Sequence, residues 1–279
     1  MSPPLPSISE KRRSFRALHA SGCFVIPNPW DVGSALALQS LGFKALATTS
    51  AGLAWSLGRP DNALSRDAVL AHLRALVAAT DVPLNADFES GFAADTAGVV
   101  ESVRLAVATG VAGLSIEDAT GDTARPLYAL DEASDRIRAA RQAIDEAGGE
   151  ALLVGRAECF LVGRPDIDET ITRLRAYAEA GADCLYAPGI HSREHITAVV
   201  AAVAPKPVNV LLGATNEWTV ADMAALGVRR ISVGGALARC AWGGFMRSAK
   251  LIAEQGRFDG YADATPSRDL NALFAAGAD

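Results

Sequence analysis

The sequence predicts an α/β chain closed into a (β/α)8 TIM barrel with extra helices at its C-terminal end. Four times an apolar helical segment stops at a glycine and a β-rich run follows: LGFKALATTS from Leu41, TGVAGLSIED from Thr109, AGADCLYAPG from Ala180 and LGVRRISVGG from Leu226. Glycine after a helix accepts the left-handed conformation that ends it, and a short apolar run bounded by turn residues is the pattern of a strand buried on both faces. Four further runs bring the strands to eight, starting at 23, 45, 83, 113, 151, 184, 207 and 230, and each gap holds one helix and a return loop. An open doubly wound sheet would carry a glycine-rich phosphate loop after an early strand, and no G-x-G-x-x-G or Walker pattern is present. Parallel strands need helical crossovers, and closure removes both sheet edges.

The elements follow in order. CFVIPNP from Cys23 leads to Asn28, Trp30 and Asp31, and the second strand ends in Thr49 and Ser50, followed by Ala51 and Gly52. SRDAVLAHLRALVAA reads as a helix with Ser65 as its N-cap, and PLNADF then leads to Asp87 and Glu89. The fourth strand ends in Glu117 and Asp118. DEASDRIRAARQAIDEAG, with Asp131 as N-cap and Gly148 near its stop, returns the chain to ALLVGRAE, which ends in Arg156 and Glu158. The last three strands offer little at their ends beyond Pro188, Asn209 and Gly234. A helix from about Ala236 to Gln255 completes the eighth unit, and SRDLNALFAAG forms a further helical tail. One domain over 1–279 is expected, with the barrel at about 20–255 and a C-terminal extension, 256–279, that covers the barrel or reaches a partner subunit.

Composition narrows the function classes. A chain of 279 residues, 50% hydrophobic, buries a large core, which excludes global disorder. Its 26 Lys and Arg against 32 Asp and Glu give a net charge of −6, and no basic stripe is interleaved with aromatics, so nucleic acid is not an expected partner. There is no stretch of 18 apolar residues, and the basic N-terminal segment has no apolar core behind it, so no membrane association is expected. Cys23, Cys159, Cys184 and Cys240 lie far apart in apolar surroundings with no zinc-ligand spacing. They read as buried thiols in a reducing cytoplasm.

Barrel strands deliver functional side chains at their C-terminal ends, where three adjacent strands here end in acids. Asp87 and Glu89, two apart, can face one side of a strand. Oxygen-only ligands suit Mg2+ or Mn2+. A single acid at such a turn commonly caps a helix or pairs with an arginine; the set together favours a cation. Arg156, ending an apolar strand, either grips a substrate carboxylate or neutralises the acids around it. Ser50 to Gly52 either bring backbone N–H groups to an anion or form a tight turn. His19, His72, His191 and His195 lie on or beside helices, where a histidine is usually solvated, and receive no role.

At these residues the chain resembles the isocitrate lyase/phosphoenolpyruvate mutase superfamily, in particular its short methylisocitrate lyase and phosphoenolpyruvate mutase-like members. The likeness runs from about Asn28 to Gly235 through NPWDVGSALALQSLGFKALATTSAGLA, SLGRPD, PLNADFESGF, GLSIED and LLVGRAE. The resemblance implies that Asp87 ligates Mg2+ (or Mn2+), with Glu89, Asp61 and Glu117 around it, partly through water. It implies that Ser50, Ala51 and Gly52 bind a substrate carboxylate with Arg156, and that Arg156, Asp61 and Glu117 form the catalytic set. It further implies a homo-oligomer, dimer or tetramer, with exchanged C-terminal helices, and chemistry beside a 2-oxo carboxylate through an enolate-type intermediate.

Departures from the family pattern shape the expected reaction. The lyases carry K-[KR]-C-G-H in the loop after the I-E-D strand, where this chain reads EDATGDTARPLY without Cys, Lys or His. The Lys and Asn of the mutase loop are missing too, the usual aromatic before the serine turn is Thr48, and the carboxylate that some members have after the sixth strand is replaced near Pro188. The first expectation is a Mg2+-dependent carbon–carbon lyase acting on a small anionic 2-hydroxy or 2-oxo dicarboxylate with a non-cysteine acid/base. The alternatives are a phosphoenolpyruvate or phosphonopyruvate mutase or hydrolase, in which Arg59 and Arg125 meet a phosphoryl group, and a non-catalytic barrel that binds a 2-oxo acid and metal.

Overall fold

The computed structural model describes residues 6–275. Eight strands form one parallel sheet in the order β1-β8-β7-β6-β5-β4-β3-β2. They are β1 Phe24–Ile26, β2 Leu46–Ala47, β3 Leu84–Asp87, β4 Gly113–Glu117, β5 Leu152–Arg156, β6 Cys184–Tyr186, β7 Val208–Leu211 and β8 Arg230–Ser232. Each starts within one residue of its expected position. The remaining seam, between β1 and β2, is closed by single bonds: the Ala47 N–H donates to the Pro27 carbonyl at 3.0 Å, and Asn28 Nδ2 donates to the Thr48 carbonyl at 2.9 Å. Asn28 Oδ1 accepts from the N–H groups of Val233 and Gly234, so one buried amide ties the ends of β1, β2 and β8 together at the C-terminal rim. The eight strands and flanking helices are a (β/α)8 barrel.

Helix α1 (Ile8–Ala20) precedes the barrel and stops its N-terminal mouth. Its Phe15 is fully buried against Ile26, Ala45, Ala47, Ala112 and Leu152. Gly113 is required here, because a Cβ would sit 2.8 Å from the Phe15 ring and 3.0 Å from the Leu152 carbonyl. Two basic residues of this segment serve the ends of other helices. Lys11 Nζ donates to the Val77 and Thr80 carbonyls, and Arg12 donates to those of Val107 and Val111, where carbonyls left over at helix ends need donors.

The crossovers are α2 (Val32–Ser40), α3 (Ser50–Ser56), α4 (Arg66–Ala79), α5 (Thr96–Ala108), α6 (Leu130–Glu146), α7 (Ile167–Glu179), α8 (Arg193–Val203), α9 (Val220–Ala225) and α10 (Ala236–Gln255). Asp31 at the end of the first strand is a helix cap, accepting the Ser34 N–H at 2.7 Å, and Ser65 caps α4 as expected. Asp131 is not the cap of α6. The Tyr128 N–H binds the Asp118 carbonyl and the helix starts at Leu130, so Asp131 falls in its first turn, where a carboxylate still favours the helix dipole. The tail helix α11 (Ser267–Ala275) lies on α2, its Phe274 ring facing Gly33.

Side-chain expectations are corrected for Cys240, for His19 and for His72, whose Nε2 is buried without a partner among the described residues, and Cys23 is only half-buried. Cys240, on α10, is exposed, because α10 buries little beyond Ala238 in this chain. His19 is buried rather than solvated, since the inner face of α1 is the barrel plug. Its ring stands edge-on between Phe15 and Phe24, its Nδ1 lies 2.8 Å from the Phe15 carbonyl, and its Nε2 has no partner among the described residues. Burial, with Arg230 nearby, holds the His19 pKa down at about 3, and burial holds His72 at about 4. In the unfolded chain both titrate near about 6.5, so the unfolded state binds more protons below that pH. Their contribution to stability is present above 6.5 and is lost as pH falls toward the folded values. Replacing His19 by Leu is expected to flatten the decline of unfolding free energy between pH 6.5 and 4, His72 retaining its share; an unchanged slope in denaturant titrations would refute this.

Candidate active site

Three neighbouring strands bring charge to the C-terminal rim. β3 ends at Asp87, β4 at Glu117 and β5 at Arg156, and the β4–β5 register sets Glu117 directly opposite Arg156. The Arg156 guanidinium lies among the acids: its Nη1 is 3.2 Å from Asp87 Oδ1 and 3.1 Å from Glu117 Oε2, and its Nε donates to Glu158. The Tyr186 ring from β6 lies under it, 5.2 Å from ring centre to guanidinium carbon. Such a cation holds charge in a low-dielectric rim because each carboxylate supplies a charge-assisted bond. Arg156 therefore neutralises acids in this structure, one of its two expected roles.

The acids outnumber it. Burial drives the Glu117 carboxyl well above its usual range even though Arg156 pulls it down, and burial also raises Glu158. Glu89 is pushed up to about 7 by burial and by the charges of Asp87 and Asp61, with Arg156 opposing. One guanidinium thus holds three carboxylates, with Glu89 and Asp61 close by, and an all-oxygen, net-negative set is the donor chemistry that a hard divalent cation requires. Asp87, Glu117 and Glu158 are turned toward Arg156, and among the described residues no three acids, histidines or cysteines are gathered in a metal-holding group. Asp87 and Glu89 do not share a strand face: β3 stops at Asp87, and Glu89 sits in the left-handed region at φ 47°. Asp61 is exposed in the loop after α3, at the edge of the site.

Ser50 to Gly52 open the short helix α3. The Ser50 N–H donates to Asp87 Oδ2 at 3.1 Å, while Thr49 caps the helix through the Gly52 N–H. Ser50 and Ala51 line the cavity at the barrel mouth; Gly52 packs behind it, where a Cβ would meet Thr49 at 2.7 Å and Trp30 at 2.9 Å. Thr48 is part of the site's frame: its Oγ1 accepts the Asp87 N–H at 2.8 Å.

Two connected spaces share Ser50, Asp61 and Arg156. The inner one, about 150 Å3, descends between Asp87 and Tyr186 to Asn85, Ser115 and Arg230; the outer one, about 430 Å3, is walled by Glu117, Glu158, Leu161 and the loop 119–126. That loop is folded on itself by a bridge between Ala119 and Leu127 and a bond from the Thr120 N–H to the Pro126 carbonyl. Among the described residues no Cys, Lys or His lines either space. Arg59 lies instead beside Trp55 and Trp242, and Arg125 stacks on Tyr128 and reaches Glu132, so neither enters the cavities. Sequence reasoning placed Glu158 at a strand end without giving it a role and missed Tyr186 and Arg230. The available signal was a polar residue inside an otherwise apolar strand.

A parallel barrel with a concave, charged cavity at the C-terminal ends of its strands is the architecture of an enzyme active site. The chain belongs to the phosphoenolpyruvate phosphomutase family, whose sequence profile matches residues 15–253, and through it to the isocitrate lyase/phosphoenolpyruvate mutase superfamily. A crystal structure from Burkholderia cenocepacia J2315, assigned no further than lyase or mutase, shares 49% identity over 96% of this chain and 97% of that one, with a TM-score of 0.93. The oxaloacetate decarboxylase of Rhodopseudomonas palustris (strain BisA53) is 31% identical over 80% of this chain and 77% of its own length. An oxaloacetate acetylhydrolase solved with its product oxalate is 27% identical, with a TM-score of 0.84 over 96% of this chain and 94% of that one.

Behind the rim, Asp118 holds the Arg156–Glu158 segment in place. It is 1% exposed and accepts the Glu158 N–H at 2.8 Å, the Tyr177 hydroxyl at 2.6 Å and Arg173 Nη1 at 3.1 Å. Tyr177→Phe removes one hydrogen bond to a buried charge and is expected to lower the unfolding free energy by about 1.5–3 kcal/mol, measured by denaturant titration. No measurable loss would show that Asp118 does not depend on that hydroxyl.

Proposed function

We propose that this protein is a divalent-cation-dependent carbon–carbon lyase acting on a short 2-oxo or 2-hydroxy dicarboxylate. The observation that carries the reading is the Arg156 guanidinium set among Asp87, Glu117 and Glu158 over a small cavity at the strand ends. The relatives named for oxaloacetate chemistry support the substrate class.

Asp87 would hold the cation, Mg2+ or Mn2+, with Glu89, Asp61 and Glu117 around it, a set whose excess of negative charge suits a dication. When bound, the cation would polarise the substrate's 2-oxygen and stabilise the negative charge that bond cleavage leaves behind. Arg156 would exchange part of its grip on the acids for a substrate carboxylate and contribute fixed positive charge at the reacting centre. Ser50 and Ala51 would meet the same carboxylate. Gly52 would act from behind, letting α3 pack close to Trp30. With no thiol, amine or imidazole on either cavity wall, proton transfer falls to a carboxylate, the Tyr186 hydroxyl or water, and a cysteine-dependent cleavage is not served. Phosphoryl chemistry is the weaker reading, because Arg59 and Arg125 point elsewhere.

The exposed apolar side chains of the last helices, Trp242, Phe245 and Met246 on α10 with Phe258 and Tyr261 beyond it, support a homo-oligomer built through this end of the chain. The four unpaired cysteines suit a reducing compartment such as the cytoplasm. Among the described residues no helix is long and apolar enough to cross a membrane.

Incubation with oxaloacetate and substituted malates is expected to release pyruvate, glyoxylate or oxalate only with Mg2+ or Mn2+, and phosphonopyruvate is expected to give no new phosphorus NMR signal; the reverse pattern would overturn the reading. Asp87→Ala is expected to abolish metal-dependent turnover. Arg156→Lys, which loses the planar fork, should lower kcat/KM by about a hundredfold or more, and near-normal turnover in either variant would remove the site assignment. Phe245→Glu is expected to shift the protein toward monomer in light scattering; an unchanged mass would place the interface elsewhere.

A further inference from the structure

The inner cavity has at its floor a cation that the proposed chemistry does not use. Arg230, first residue of β8, is 3% exposed, and its side chain enters the barrel one layer below Asp87 and Arg156. Its Nε donates to Asn209 Oδ1 at 2.9 Å and its Nη1 to Asn85 Oδ1 at 3.4 Å. Both partners are neutral amides. Among the described residues no carboxylate pairs with Arg230, and burial lowers its proton affinity with only Cys184 and Tyr186 acting in the other direction.

The other buried guanidinium groups are differently provided for: Arg12 donates to the Val107 and Val111 carbonyls with Glu150 at 3.9 Å. Arg156 and Arg173 each hold two or more acids, and Arg136 donates to the Ser90 and Ala93 carbonyls at 2.7 and 2.6 Å with the Tyr128 ring against its face. Arg136 lines neither of the two spaces at the barrel mouth, whereas Arg230 does. An arginine does not escape burial by losing its proton, and a buried charge without a counter-ion costs several kcal/mol, roughly, even after relaxation. The surrounding bonds hold the group in one orientation: Asn209 Nδ2 donates to Ser232 Oγ at 2.9 Å, which fixes the amide oxygen toward Arg230. The arrangement is a preorganised fork facing a small enclosed space, suited to bidentate capture of a carboxylate.

We propose that Arg230 seats the second carboxylate of the ligand, so that a short dicarboxylate spans the inner cavity from the Asp87–Arg156 end to the floor. The term substrate rests on the lyase reading; the binding site does not. A ligand with one carboxylate leaves Arg230 without its counter-ion, so the seat distinguishes dicarboxylates from monocarboxylates of the same core.

Malate and lactate, which differ by that one carboxylate, test this by calorimetry on the Mg2+-loaded protein. The wild type is expected to bind malate at least about tenfold more tightly than lactate, and Arg230→Gln, which keeps a donor for Asn209 but no charge, should bring the two within about twofold while leaving lactate binding unchanged. A preserved malate preference in Arg230→Gln, or no preference in the wild type, overturns the proposal. If that variant fails to fold, a crystal structure of the wild type with Mg2+ and malate decides: a carboxylate on the Arg230 guanidinium supports the seat, and malate bound elsewhere removes it. Malate held through Arg230 without any turnover in the substrate panel would end the lyase reading and keep the seat. Turnover with an unaltered preference in Arg230→Gln would do the opposite.

Discussion

The charge on Arg156 is the constraint on which the rim of this barrel depends. Three adjacent strands end in or beside buried acids, and such a rim would repel itself without a cation inside it. Because the guanidinium is planar and permanently charged, it satisfies Asp87, Glu117 and Glu158 from different directions at once, which an ammonium group could not do with the same geometry. Removing it would leave several buried carboxylates uncompensated, a loss of about 3–5 kcal/mol for a broken buried pair. In the proposed function the same charge would make the rim usable, since a substrate carboxylate would replace an internal partner without bringing an unpaired anion into the barrel.

The structure around Arg156 fixes where that charge sits. Thr48 accepts the Asp87 N–H, Asp118 accepts the Glu158 N–H, and Asn28 draws together the strand ends on the far side of the mouth. None of these residues faces the reaction as a charged participant. Each satisfies backbone groups where strands end and ladder bonds run out, and that keeps the side chains of the rim in register. Rigid support of this kind lets a site accept a small ligand without rearranging its frame.

The loop after β4, residues 119–126, contains no Cys, Lys or His. It is ordered by its own backbone bonds and carries no thiol, so it closes the outer space without supplying a reactive group. Inside the barrel, a tyrosine on β6 and an arginine on β8 line the inner cavity.

Much of this was legible in the amino-acid sequence. Glycine-stopped helices and apolar runs located all eight strands to within one residue, because helix termination and two-sided burial are local properties of the chain. Asp87, Glu117 and Arg156 could be named from their places at strand ends, and five motifs in order identified the family. The partners of those residues could not be read, because partnership joins positions far apart in the chain: Arg156 with Asp87, Arg230 with Asn85, His19 with Phe24. Whether a histidine on an N-terminal helix met water or the barrel interior was decided by closure of the sheet. Closure determines which side chains share the enclosed, low-dielectric space, where a charge must be paired or must await a ligand.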